Sequence, residues 1–137
     1  MDKKTFTKVI PSDPNYLPDV EEFVIQTAQE ANLNPSKINS LALSVAEACS
    51  NSIIHGNKRD IRKNVLIEIT YDEEFFIVSF TDEGKGFDIS NVPNPTDPEN
   101  ILKESGRGIH IMKSFLDDLK YEFTDHGTKA TLIIKLK

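Results

Sequence analysis

The sequence predicts an α+β two-layer sandwich, in which a mixed, mostly antiparallel sheet has its helices packed on one face. Apolar residues recur at spacings of three and four over 14–31 and 36–55, as they do in amphipathic helices. Shorter alternating segments come in adjacent pairs, and strands that are neighbours in sequence commonly pair antiparallel. A chain of 137 residues, 38% of them apolar, suits one domain, so 1–137 is predicted to be a single unit.

The first part of the chain is predicted to run strand, helix, helix. An imperfect alternation of apolar residues over 4–10 predicts the first strand. Asp13 precedes a proline at the start of the first helix, and both residue types are common at helix amino termini. Ser36 offers a cap for the second helix, 36–55, whose apolar residues surround the helix axis and therefore indicate burial.

The second part is predicted to run strand, strand, loop, helix, strand, strand. Alternation over 65–71 and 75–81 predicts a hairpin. Residues 88–105 show no period, and a loop of about eighteen residues inside a compact domain is usually functional or disordered. Helical spacing resumes at Gly106 and continues to Leu119. The last strands are expected at 120–124 and 129–136, with a turn at 125–128.

The composition disfavours several classes of function. Acidic residues number 22 against 16 basic ones, and the resulting net charge of −6 argues against direct nucleic-acid binding. Cys49 is the only cysteine, which excludes an intramolecular disulfide and a multi-cysteine zinc site. Because the chain has neither an apolar run of about 18 residues nor a hydrophobic signal segment, a cytoplasmic protein without a membrane span is expected.

A stripe of polar residues marks the second predicted helix. At about 100° per residue, Glu47, Asn51 and His55 fall at about 0°, 40° and 80° on an otherwise largely apolar helix. The amide oxygen of Asn51 is a suitable ligand for a hard cation such as Mg²⁺, and the carboxylate of Glu47 can accept a proton from a hydroxyl. Taken alone, such a stripe is more often a solvated helix face, and His55 is more often a structural histidine than a ligand.

Two glycine-containing motifs follow. Asp82 ends an apolar strand and precedes Gly84 and Gly86, which allow close approach of backbone or ligand; the carboxylate could accept a hydrogen bond from an exocyclic amine, although an ordinary turn has the same pattern. The segment Gly106, Arg107, Gly108 and Ile109 opens a helix directly after the long loop. Exposed backbone N–H groups and a guanidinium make such a segment suitable for an anion, although it is neither a Walker P-loop nor a dinucleotide fingerprint.

These motifs are weak singly but specific in their order. Glu-x-x-x-Asn on a helix, Asp-x-Gly-x-Gly after a strand, a long loop, Gly-x-Gly at a helix start and Gly-Thr before the last strand resemble the GHKL ATPases. The nucleotide site of that superfamily is called the Bergerat fold, and the similarity covers about 5–136. The short chain and the segment Glu-Ala-Cys-Ser-Asn-Ser-Ile-Ile-His-Gly are most similar to the bacterial anti-sigma-factor serine/threonine kinases.

The resemblance implies a set of site residues, with ATP and Mg²⁺ as the bound groups. It implies that Asn51 binds Mg²⁺, that Glu47 is the general base and that 88–105 is a lid over the nucleotide. It also implies that Asp82 binds the adenine amine. The remaining predicted nucleotide-binding residues are Gly84, Gly86, Gly106, Arg107, Gly108, Ile109 and Thr128, with the role of Arg107 inferred from its chemistry.

The resemblance also implies the partners. It implies a kinase that phosphorylates a Ser or Thr of a STAS-type anti-sigma-factor antagonist, and an anti-sigma factor that sequesters a sigma factor; a homodimer is implied as well. Two other classes stay open: a nucleotide-gated regulatory binding protein with little catalysis that acts on a non-sigma target, and an ATPase module of a larger assembly. Glu47 favours the kinase, because a binding protein needs no base, and an ATPase module would normally have a transducer domain.

Overall fold

A computed structural model describes residues 3–83, 115–124 and 127–136. Strand β1 (Lys4–Pro11) is followed by helices α1 (Leu17–Glu30) and α2 (Ile38–Asn51), each preceded by one turn of 3₁₀ helix. Strands β2 to β5 complete the sheet and span Asn64–Tyr71, Phe75–Asp82, Asp118–Thr124 and Gly127–Lys135. The predicted 88–105 loop and the start of the helix at Gly106 lie outside the described residues.

The five strands form one sheet in the order β1-β2-β3-β5-β4. All four pairings between the described strands are antiparallel. The predicted α+β class and the mostly antiparallel sheet are therefore confirmed. In this order β5 separates β3 from β4, so residues that lie far apart in the chain become neighbours at one end of the sheet.

One face of the sheet packs against the two helices. The register places the alternate residues of neighbouring strands opposite one another, as with Ile67 and Phe80 or with Val78 and Leu132. The fully buried side chains of this face meet those of α1 and α2 in one hydrophobic core. The contributing helical residues include Val20, Val24, Ala28, Leu41, Val45, Ala48, Cys49 and Ile53.

The sequence predicted the cap of the first helical segment correctly and the cap of the second one incorrectly. Asp13 does cap the first helical segment, because its Oδ1 accepts a hydrogen bond from the N–H of Asn15 at 2.9 Å. Ser36 is not the second cap: Asn34 is, and its Oδ1 accepts a hydrogen bond from the N–H of Ser36 at 3.0 Å. The reason is local, since Pro35 holds Asn34 in an extended conformation outside the helix.

The boundary before β4 also corrects a prediction. Leu119 was predicted to continue the third helix, but it lies in β4 opposite Leu132 of β5. Leu119 lies four residues after Phe115, which fits a helix, but it also begins an alternation with Tyr121 and Phe123, which fits a strand. In the structure these three residues pair with β5, so the strand pattern is the one that is formed. No helix in the described part of the chain is long and apolar enough to cross a membrane.

The buried thiol of Cys49 provides a test of the core. Burial, to which the Glu21 carboxylate adds, raises the pKa of Cys49 from 9.0 to about 12. Cys49 therefore ionises at a lower pH in the unfolded chain than in the folded protein. Its contribution to the free energy of unfolding is highest below about pH 9 and falls as the pH rises toward 12. Between about pH 8 and pH 10.5, we expect the free energy of unfolding to fall by about 2 kcal/mol more than in Cys49→Ala.

Denaturant unfolding of both proteins at each pH measures this difference. The comparison with Cys49→Ala cancels the titration of the tyrosines and lysines, which both proteins share. Parallel pH profiles would show that the thiol is not shielded by the core.

Candidate functional site

A cavity lies between the end of α2 and the carboxyl-terminal end of β3. It encloses about 330 Å³, including the part open to solvent. Its walls come from α2 and the turn that follows it on one side, and from β3, β4 and β5 on the other. The lining residues are Ala48, Asn51, Ser52, His55, Gly56, Asp82, Tyr121, Thr128 and Ala130.

The helical side of the cavity departs from regular α geometry. After Asn51 the helix continues as a π-helical turn, Ser52–Gly56. Such turns insert an extra residue and are frequent at functional sites. Both His55 and Gly56, from this turn, line the cavity.

Asp82 is the buried carboxylate of the cavity. Only 4% of the residue is exposed, and its Oδ1 accepts a hydrogen bond from the N–H of Thr128 at 3.1 Å. A charge so far from solvent is costly unless polar groups surround it. The bond from Thr128 is therefore part of what holds the carboxylate in place, and it joins β5 directly to the end of β3.

Two glycines permit this placement. A Cβ atom on Gly56 would lie 2.1 Å from Asp82 Oδ2, so the carboxylate occupies the space that any other side chain would need. A Cβ atom on Gly127 would lie 1.9 Å from the backbone oxygen of Asp82, and its φ of +152° is one that other residues rarely adopt. Asp82 is thus packed between two positions at which only glycine fits.

A buried asparagine fixes the chain just beyond Asp82. The Oδ1 of Asn57 accepts a hydrogen bond from the N–H of Glu83 at 2.8 Å. Its Nδ2 donates to Ser12 Oγ at 2.7 Å and to the carbonyl oxygen of Asn64 at 2.9 Å. The Ser12 hydroxyl in turn donates to the carbonyl oxygen of Lys63 at 2.7 Å. This network links the end of β1, the segment after α2 and the end of β3.

Glu47, Asn51 and Tyr121 form the other end of the site. Burial raises the pKa of Tyr121 to about 12; the Asn51 amide opposes this rise, and the Glu47 carboxylate adds to it. Glu47 is half-buried and acts on the phenol from α2, one turn before Asn51. The phenol is therefore protonated at neutral pH, and the predicted base and the predicted metal ligand both lie close to it.

The structure brings together the predicted site residues that it describes. Asn51, Asp82 and Thr128 line one cavity, and Glu47 lies beside it. Asn57 and Tyr121 were not predicted as site residues, and Gly56 and Gly127 entered the prediction only as parts of the His-Gly and Gly-Thr segments, without a role of their own. The other predicted residues lie outside the described residues: Gly84, Gly86, Gly106, Arg107, Gly108 and Ile109.

The described side chains allow one mode of magnesium binding. Residues 3–83, 115–124 and 127–136 contain no cluster of three or more His, Cys, Asp or Glu side chains that could hold a metal ion. Mg²⁺ keeps several waters and commonly takes one or two protein oxygens together with substrate phosphates. The cavity wall supplies such an oxygen in the Asn51 amide, so the residues fit an ion that arrives with its nucleotide.

The close approach of Gly56 to Asp82 generates a prediction. Gly56→Ala should lower the free energy of unfolding by about 1–3 kcal/mol, because the new methyl group overlaps the carboxylate. Denaturant unfolding of Gly56→Ala, Asp82→Ala and the double variant measures the coupling between the two sites. The double variant should be less destabilised than the sum of the single ones, and additive effects would contradict the packing described above.

Comparison with known proteins gives three relevant similarities. A family model described as the histidine kinase-like ATPase domain matches residues 10–134. The anti-sigma F factor of Clostridium perfringens is 35% identical over 114 residues, which cover 78% of this chain and 79% of that protein. Serine-protein kinase RsbW of Bacillus subtilis is 25% identical over 119 residues, which cover 82% of this chain and 74% of that protein.

A solved structure supports the same fold. The histidine kinase domain of a blue-light activated histidine kinase from Erythrobacter litoralis matches with a TM-score of 0.59 and 18% identity. The match covers 93% of this chain and 62% of that one, and at this identity it shows the fold alone. The resemblance to the GHKL ATPases and to the anti-sigma-factor kinases is thus confirmed by sequence relatives and by fold. The chain belongs to the histidine kinase-like ATPase family, in the branch that contains the anti-sigma F factors.

Proposed function

We propose that this chain is an ATP-dependent serine/threonine protein kinase and anti-sigma factor. It transfers phosphate to a STAS-type anti-sigma-factor antagonist and sequesters a sigma factor. The observation that supports this most strongly is that Asn51 and the buried Asp82 carboxylate line one cavity, with Glu47 close to Tyr121 of the same cavity. The two relatives named above, an anti-sigma F factor and a serine-protein kinase, support the same role.

The Asp82 end of the cavity suits an adenine ring. A carboxylate can accept several hydrogen bonds, so the one from the Thr128 N–H is compatible with another from the exocyclic amine of adenine. Ala48 and Ala130 offer small apolar surfaces on the two sides of the cavity, where a flat base can pack. Gly56 keeps the approach to the carboxylate free of side-chain atoms. This arrangement supports the proposed adenine role of Asp82 and the supporting role of Thr128.

The Asn51 end suits the phosphates. Phosphoryl transfer needs positioning and charge neutralisation more than covalent chemistry from the protein. Asn51 would hold Mg²⁺, which offsets the negative charge of the transferred group. Glu47, one turn earlier, would orient or deprotonate the hydroxyl of the acceptor Ser or Thr. The residues Gly84, Gly86, Gly106, Arg107, Gly108 and Ile109 complete the site in this proposal.

The proposed partners are proteins. A sigma factor acts in the cytoplasm, so the role implies a cytoplasmic protein. The net charge of −6 disfavours direct contact with nucleic acid and suits protein surfaces that are basic. A homodimer is part of the proposal.

The proposed base leads to a specific prediction. Glu47→Gln should slow phosphorylation of the antagonist by about a hundredfold or more, because general-base catalysis contributes that much. ATP affinity should stay within about twofold, since Glu47 acts on the acceptor hydroxyl and leaves nucleotide binding to other groups. Transfer of labelled phosphate and calorimetric ATP titration measure the two quantities. Glu74→Gln, an exposed carboxylate in the turn after β2, is the matched control, and equal transfer rates in all three proteins would exclude Glu47 as the base.

The proposed partners can be tested in the source cell. We expect the tagged chain to capture a sigma factor and a STAS protein, in proportions that change when ATP is replaced by ADP. Mass spectrometry of the captured proteins identifies them. Recovery of neither would contradict the anti-sigma role and favour a nucleotide-gated regulator of another target.

A further inference from the structure

The hydroxyl of Tyr121 is buried at the wall of the nucleotide cavity. Tyr121 lies on β4, opposite Ala130 of β5, and both residues line the cavity together with Asn51. Within the described parts of the chain, no group forms a hydrogen bond of normal distance and angle with this hydroxyl, and the Asn51 amide, which lies close enough to lower the pKa of Tyr121, falls outside those limits. A buried polar group in that state costs free energy, and exceptions in native proteins commonly have a functional reason.

A second tyrosine, Tyr71, lies on the same face of the sheet, and its hydroxyl has a hydrogen-bond partner. Tyr71 is paired with Phe76 of β3, and Tyr121 is paired with Ala130 of β5. The register between β3 and β5 places Phe76 and Ala130 an even number of positions apart, so the two tyrosines point to the same face of the sheet. The Tyr71 hydroxyl donates to Glu30 Oε2 at 3.2 Å. Among residues 3–83, 115–124 and 127–136, none forms such a bond with the Tyr121 hydroxyl, and Phe123, two residues later on the same face, carries no hydroxyl at all.

The position of Tyr121 indicates which part of a ligand it meets. Asp82 lies on β3 and Tyr121 on β4, with β5 between them. Two strand spacings amount to roughly 10 Å between the backbones, so Asp82 and Tyr121 line different parts of the cavity wall. Asn51 and Tyr121 line the same cavity, with Asn51 on the helical wall and Tyr121 on the sheet, and the phenol O–H can donate a hydrogen bond there.

We propose that the Tyr121 hydroxyl donates a hydrogen bond to a phosphate oxygen of the bound nucleotide. Tyr121 is then a nucleotide-binding residue at the phosphate end of the cavity. In the protein without nucleotide, burial of the unpaired hydroxyl costs free energy, and the bound nucleotide supplies the acceptor for its hydrogen bond. This inference rests on the proposed function, because it takes the Asn51 end of the cavity as the phosphate end.

Tyr121→Phe removes a single oxygen atom and tests the proposal directly. Affinities for ATP and ADP should fall on the order of tenfold, since a hydrogen bond to a charged phosphate is lost. The affinity for adenosine should change by less than about twofold. The midpoint of denaturant unfolding without nucleotide should stay the same or rise, because an unsatisfied buried group has been removed. Calorimetry with each ligand and denaturant unfolding supply the measurements.

Tyr71→Phe is the matched control, with the opposite expectation. It removes the hydroxyl that is bonded to Glu30, so its unfolding midpoint should fall while its affinity for ATP is unchanged. Equal ATP affinity in Tyr121→Phe and the wild type would overturn the proposal. An equal loss for adenosine would also overturn it, because the contact would then be to the base or ribose.

A third variant separates this proposal from the proposed function. Asp82→Asn should weaken binding of ATP and of adenosine, since it alters the acceptor for the adenine amine. If the wild type binds ATP and Asp82→Asn weakens it while Tyr121→Phe does not, only the Tyr121 proposal fails. If the wild type does not bind ATP, the proposed function fails, and with it the basis for assigning Tyr121.

Discussion

The burial of the Asp82 carboxylate is the constraint on which the rest of the site depends. A carboxyl group with 4% exposure needs polar partners and a close fit, and the structure provides both. The Thr128 N–H supplies a hydrogen bond, and the glycines at 56 and 127 leave the space that the carboxylate and its backbone occupy. These contacts come from the turn after α2 and from β5, so both of these elements must meet the end of β3 at one point.

The helix and the sheet are joined at that point by unusual local geometry. The π-helical turn ends α2 beside Asp82, and Asn57 then bonds to the N–H of Glu83, the residue after it. Because the Asn57 side chain is buried and makes three hydrogen bonds, it holds the strand end rigidly against the segment after the helix. The Asp82 end and the Asn51 end of the cavity are thereby held at a fixed separation by the packing of α2 on the sheet.

Much of this architecture follows from sequence periodicity, and the remainder depends on contacts distant in sequence. The alternation in β2 and β3 predicted those strands because each has one buried face. Asp82 and Asn51 were found because their motifs are local. The place of Tyr121 and the contact of Gly127 with Asp82 could not be predicted, because their neighbours in space are set by β5 lying between β3 and β4. The cap at Asn34 was missed because the choice between it and Ser36 rests on the conformation before a proline.

The strand order has a consequence for how the protein folds during synthesis. The bond between Thr128 and Asp82 joins residues 46 positions apart, and β3 finds its second neighbour only in β5. Loops of this length make such pairing slow relative to the local packing of α1 on α2. On the ribosome, helices and the β2–β3 hairpin can associate early, but the ligand cavity cannot exist until β5 has emerged. Nucleotide can therefore stabilise the finished domain but cannot guide its first folding steps.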